Sequence, residues 1–150
     1  MNSDNFIQLT NLKKEYAMGE NIVHALRGVD LRIDRGEFVA VMGASGSGKS
    51  TLMNILGCLD VPSDGTYLFE GKEIQRQNAN QLAALRNRRM GFVFQSFNLL
   101  ARTTALENVE LPLLYNKSIS TKQARKMAMQ ALSWVGLDSR AFHYSNQLSG

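Results

Sequence analysis

GASGSGKS, residues 43–50, decides the reading of this chain. The stretch matches G-x-x-x-x-G-K-[ST] at every fixed position. The apolar run EFVAVM at 37–42 precedes it and predicts a fully buried strand. KSTLMNILGCLD at 49–60 follows it and predicts a helix, with Leu52, Ile55, Leu56 and Leu59 on one stripe and Pro62 and Gly65 ending it. Strand, glycine loop and helix in that order are what a phosphate cradle requires. Gly43, Gly46 and Gly48 allow positive φ and close approach of backbone to phosphate. Successive N–H groups from Ser45 to Ser50 would ring a β-phosphate, and the helix N-terminus adds its positive end. Lys49 would reach the β- and γ-phosphates, and the Ser50 hydroxyl would ligate Mg²⁺. The competing reading is a glycine-rich turn before a helix. The loop implies nucleotide binding but does not say what the nucleotide energises.

Working outward, Ile7, Leu9 and Leu12 suggest a first strand, and Val29, Leu31 and Ile33 alternate as in a half-buried second strand. DRG at 34–36 is a turn. TYLFE at 66–70 is a short strand, residues 81–89 read as a helix ending in arginines, and GFVF at 91–94 reads as another buried strand. Beyond Gln95 the character turns helical. Thr103 or Thr104 would cap one helix. Ser120 with Gln123 has capping-box spacing for a helix running to about Val135, and Gly136 stops it. The order gives an α/β chain with a helical segment appended.

The 150 residues suffice for one domain with a hydrophobic core, at 44% hydrophobic and 20% charged. A net charge of +4 suits a phosphate-bearing ligand and is too small to argue for nucleic acid. The lone Cys58 excludes an internal disulfide framework and makes a reducing, cytosolic compartment the default; it reads as a small packing residue on the helix after the loop. No apolar run approaches membrane-spanning length. His24 and His143 lack metal-ligand spacing. The arginines at 86–89 read as a solvated helix end, and Met127 and Met129 as helix filler.

Four stretches together resemble the ATP-binding domain of ABC transporters: LKKEY at 12–16, GASGSGKST, the Gln95 that follows GFVF and opens QSFNLLARTTALENVELPL, and LSG at 148–150. The resemblance spans essentially the whole chain, and within the family it is closest to the macrolide-exporter and lipoprotein-releasing branch. It implies a P-loop NTPase of ABC type, with an antiparallel β subdomain and nucleotide-binding core over 1–94 and a partial helical subdomain over 95–150. It implies that Tyr16 stacks on adenine and Val23 pads the same ring, and that Gly43, Ala44, Ser45, Gly46, Ser47, Gly48, Lys49, Ser50 and Thr51 hold the ATP phosphates. Lys49 and Gln95 carry the catalytic roles, and Ser50 and Gln95 meet Mg²⁺. Leu148, Ser149 and Gly150 would begin a signature that meets the γ-phosphate of ATP held by a second subunit. Tyr16 also reads as a surface aromatic, and Gln95 as a polar residue ending a strand.

The implied partners are a second ATP-binding subunit in a head-to-tail homodimer and a transmembrane permease touched after Gln95, chiefly by 106–115, at the cytoplasmic face of the cell membrane. No nucleic acid is expected; the alternative is a soluble ABC-type ATPase acting on nucleic acid or ribosomes. In relatives the Asp and Glu that order Mg²⁺ and water, and the later His, lie beyond position 150. So do the strands that separate 37–42 from 91–94. The expectation is therefore an incomplete core sheet and a 150-residue chain without turnover.

Overall fold

A computed structural model describes residues 5–96, 98–116 and 118–148. The chain divides into two compact units, Met1–Met90 and Gly91–Gly150.

The first unit is built on a four-stranded antiparallel sheet of order β2-β1-β3-β4. Its strands are β1 (Asn5–Met18), β2 (Asn21–Asp34), β3 (Asp64–Phe69) and β4 (Lys72–Glu73). Gly19, at φ +63, turns the β1–β2 hairpin. The predicted alternation holds in β2: Val29, Leu31 and Ile33 are half-buried, and Asp30 and Arg32 are exposed. Leu9 and Leu12 of β1, Leu26 of β2, and Tyr67 and Phe69 of β3 form one core with Leu52 and Ile55 of α1 (Lys49–Leu56) and Leu82 of α2 (Ala79–Arg89).

Pro62 and Gly65 do not end α1. The helix closes earlier, at Leu56, through the chain's own backbone: Leu59 N–H donates to the Asn54 carbonyl at 2.8 Å and Cys58 N–H to Ile55 at 2.9 Å. These are the paired bonds of a Schellman motif, with Cys58 left-handed at φ +53 where glycine is usual. Cys58 is thus just past the helix, though it packs in the core as expected, and Leu59 is exposed rather than on the buried stripe. Gly65 instead lies in β3 at φ +86, where an added Cβ would sit 2.3 Å from the Asn11 carbonyl oxygen. It lets β3 approach the irregular stretch of β1 around Asn11. The arginines of α2 are also more than a solvated end. Arg86 Nη1 donates to the Cys58 carbonyl at 2.8 Å, and Arg89 pairs with Glu70, which Arg35 reaches at 2.7 Å.

The second unit pairs α3 (Ala105–Leu114) with α4 (Thr121–Trp134). Both begin in capping boxes, Thr104 with Glu107 and Ser120 with Gln123. Of the two threonines offered by the sequence, Thr104 is the cap. Ala105, Leu106, Ala128, Leu132 and Ala141 form a small-residue core. Gly136 ends α4 at φ +71, with Leu137 N–H on the Leu132 carbonyl at 2.9 Å.

The two predicted buried strands do not form. Residues 37–42 and 91–94 have no ladder partner, and Phe38 is 97% and Val93 103% exposed. Both runs are apolar on both faces, the pattern of central strands. Such a run is buried only when neighbours pair with both edges, and neither run has a ladder among the described residues. No helix among the described residues is long and apolar enough to cross a membrane.

Candidate nucleotide-binding site

The loop 43–48 is a series of turns delivering the chain into α1. Gly48 is the N-cap, left-handed at φ 91 and ψ 5. A Cβ there would lie 2.5 Å from the Ala25 carbonyl oxygen and 3.0 Å from Leu26 Cδ2, so only glycine lets the loop lean on β2. Gly46, at φ +78, has open space around its α-carbon. Gly43, at φ +153, starts the loop near Ser47, whose N–H donates to the Ala44 carbonyl at 3.3 Å.

Lys49 is the first residue of α1 and folds back over the loop. Its Nζ donates to the carbonyls of Gly43 at 2.9 Å and Ala44 at 2.6 Å, and to Ser47 Oγ at 3.4 Å. The ammonium therefore sits at the loop's centre, held by oxygen dipoles that an anion could replace. Ser50 and Thr51 follow in the first turn, Ser50 exposed. α1 has no side-chain cap and no acidic residue in that turn, whereas α2, α3 and α4 all carry capping boxes. Its first N–H groups therefore have no side-chain cap, and its positive dipole end adjoins the loop. Ser50 offers a hydroxyl, and Gln95 an amide oxygen. Both are hard donors of the kind Mg²⁺ accepts. No group of three or more His, Cys, Asp or Glu that could hold a metal ion occurs among the described residues.

Tyr16 lies directly opposite Val23 in the β1–β2 ladder, both on the surface. The Tyr16 hydroxyl donates to Asp60 Oδ2 at 2.8 Å. Asp60 Oδ1 accepts from Lys14 Nζ at 2.6 Å and from Val61 N–H at 2.7 Å. Partial burial, then the carboxylate it faces, pushes the Tyr16 phenol above its ordinary range. Burial opposes the Asp60 charge, but Lys14, Tyr16 and the Val61 N–H outweigh it and hold the carboxyl below its usual value. Sequence reasoning passed over Asp60 and Lys14. The one available signal was an acidic residue just after the helix that the phosphate loop opens.

Gln95 and Leu148 belong to the second unit. Gln95 is exposed in a bend after the extended 91–94 segment, and Leu148 packs partly buried against the α3–α4 core. Ser149 and Gly150 lie outside the described residues. His24 Nδ1 contacts Glu15 at 2.9 Å on the hairpin surface, and the His143 carbonyl accepts the Ala105 N–H.

A family model described as ABC transporter matches residues 26–150. An ABC transporter ATP-binding protein of Bacillus subtilis, YknY, is 50% identical over 96% of this chain, which spans 62% of that relative. The macrolide export ATP-binding/permease protein MacB of Chlorobaculum tepidum is 52% identical over 96% of this chain, which spans 22% of it. Among solved structures, the post-hydrolysis dimer of the ATP-binding cassette MJ0796 bound to ADP and Pi superposes with a TM-score of 0.85. It is 45% identical, and the match covers 95% of this chain and 63% of that one. With five-sixths of its residues inside the family model and half of them identical to named cassettes, the chain belongs to the ABC transporter family.

Proposed function

We propose that this chain supplies the phosphate- and base-binding parts of an ATP-hydrolysing cassette that powers a membrane exporter. The observation that carries the reading is the uncapped first turn of α1 with the Lys49 ammonium at the centre of the 43–48 loop. ATP would lay its phosphates across that loop and its adenine against Tyr16, with Val23 beside it. On binding, Lys49 would exchange the Gly43 and Ala44 carbonyls for β- and γ-phosphate oxygens, while backbone N–H groups and the helix end stabilise the remaining charge. Ser50 would offer its hydroxyl to Mg²⁺, which would supply neutralisation of charge developing on the phosphates.

MacB relatives combine ATP-binding and permease regions, and the MJ0796 cassette is dimeric. By that analogy the working state is a head-to-tail homodimer at the cytoplasmic face of a membrane. Leu148, Ser149 and Gly150 would serve the partner's ATP. α3 would meet a permease through its exposed end at Leu114 and Tyr115. The chain spans about three-fifths of its ATP-binding relatives, so dimerisation, export and turnover are expected of a cassette at their full length. The 150 residues alone are expected not to hydrolyse ATP.

Lys49→Ala in the full-length cassette tests the reading. Loss of a charge-assisted partner in a desolvated site should cost on the order of 2–5 kcal/mol of nucleotide binding or transition-state stabilisation. The fold should hold, because Lys49 contacts only loop oxygens and lies outside the buried core. Unchanged affinity and turnover would sink the assignment.

A further inference from the structure

Tyr16 lies near the exposed end of a hairpin, where a phenol ring would ordinarily swing about its side-chain bonds. Here it is held at two points. Its hydroxyl donates to Asp60 Oδ2 at 2.8 Å, and the Lys14 ammonium lies 4.9 Å over the ring centroid. Lys14 is itself nearly buried, its side chain 11% exposed, and is fixed by Asp60 Oδ1 at 2.6 Å and the Val61 carbonyl at 2.8 Å. Asp60 is fixed in turn by the Val61 N–H and sits in the segment that the Schellman closure of α1 leaves behind. The same helix carries the phosphate loop at its other end.

We infer that Asp60, with Lys14, is a positioning residue that fixes the Tyr16 ring relative to the phosphate loop and so sets the base-dependent share of nucleotide affinity. The inference rests on the reading of Tyr16 as the base platform. With the ammonium over one side of the ring, a base would stack on the other. Because the tether runs from the hairpin to the far end of α1, platform and loop are held as one rigid pair. An ATP whose phosphates sit on the loop then meets a ring already in place, and loses less freedom on binding.

The test compares ATP with inorganic tripolyphosphate, both with Mg²⁺, by competition against a fluorescent nucleotide on the full-length cassette. Tripolyphosphate reads the loop alone; ATP reads loop and platform together. Asp60→Ala should weaken ATP about 2- to 10-fold, the effect of losing one or two hydrogen bonds, and leave tripolyphosphate unchanged. In a Tyr16→Ala background, Asp60→Ala should add nothing, because the ring it positions is gone. Tyr16→Phe, which removes one oxygen and no packing, should reproduce part of the Asp60→Ala loss, and Asp60→Asn should restore part of it. Equal loss of ATP and tripolyphosphate, or additive effects in the double variant, would overturn the inference and make Asp60 a structural residue of α1. If Tyr16→Ala binds ATP normally, the platform reading fails and the inference falls with it. If Tyr16→Ala weakens ATP and Asp60→Ala does not, only the inference falls.

Discussion

Gly46 and Gly48 form a matched pair within one loop, and they should respond differently to the same methyl group. Both have positive φ, +78 and +91, so alanine at either position meets the left-handed penalty of about 1–2 kcal/mol. At Gly46 nothing lies within 4 Å of the new Cβ, so the penalty ends there. At Gly48 the Cβ would sit 2.5 Å from a backbone oxygen of β2, and ordinary contact begins at 3.4 Å. The start of α1 must therefore retreat by about 0.9 Å from Ala25. Ala25 is the extra residue at an irregularity of the β1–β2 ladder, between the Leu26–Lys14 and His24–Glu15 pairs, and its carbonyl, being backbone, yields less readily than a flexible side chain would. Overpacking of this kind costs about 1–3 kcal/mol, bringing Gly48→Ala to roughly 2–5 kcal/mol. The retreat also displaces Lys49 and the first-turn N–H groups, and a misplacement near 1 Å can cost on the order of 100-fold in a preorganised site. Thermal denaturation of the full-length cassette, with fluorescent-nucleotide affinity measured on the same samples, separates the two variants. Gly48→Ala should lose clearly more of both than Gly46→Ala. Equal losses of stability would show that the contact with β2 does not set the loop's position.

Tyr67 is fully buried and donates its hydroxyl to the Leu56 carbonyl at 2.8 Å, satisfying the last carbonyl of α1. Burial drives its phenol far above the ordinary range, so it stays a donor at any working pH. Tyr67→Phe should cost about 1–2 kcal/mol in denaturant unfolding, and a neutral result would mean that water replaces the bond. The Glu107 carboxylate, held low by the Thr104 N–H and hydroxyl, closes the α3 capping box. Its folded value lies below its unfolded one, so its contribution is complete above about pH 4.3 and fades as pH falls through the folded value. Protection of the first-turn amides of α3 should fall over that acid window, and Glu107→Gln should abolish the pH response.

The two helix ends show what was legible. α4 stops through a Schellman closure with Gly136 in the left-handed position, and glycine there is readable from sequence. α1 stops through the same closure with Cys58 in that position. A left-handed cysteine gives no compositional signal, so Pro62 and Gly65 are the first breakers visible in sequence. Its thiol is buried in the core, and that packing offsets the backbone cost. The Ser120–Gln123 capping box was legible because both partners lie within one turn; the α3 cap was legible only as one of two threonines, and the structure adds its Thr104–Glu107 box. Asp60 was not legible. Its partners Lys14 and Tyr16 are more than forty residues away, and only the approach of β1 to the end of α1 unites them.

The loop's two ends are held very differently. Downstream, Gly48 rests against β2, α1 is buried through Leu52 and Ile55, and Tyr67 and Arg86 bind the backbone where the helix closes. Upstream, Gly43 continues from 37–42, an apolar run with no ladder on either edge. A phosphate cradle needs both ends fixed, because its N–H groups converge on one point only when the whole loop keeps its shape. On the helix side, the α1 dipole end, Lys49 and the tethered Tyr16 ring are held by contacts within Met1–Met90. The strand-side half depends on whatever pairs with 37–42. Under the proposed roles, the base and helix contacts are local to Met1–Met90. Under the proposed function, full convergence of the loop amides on phosphate requires that strand side to be fixed as well.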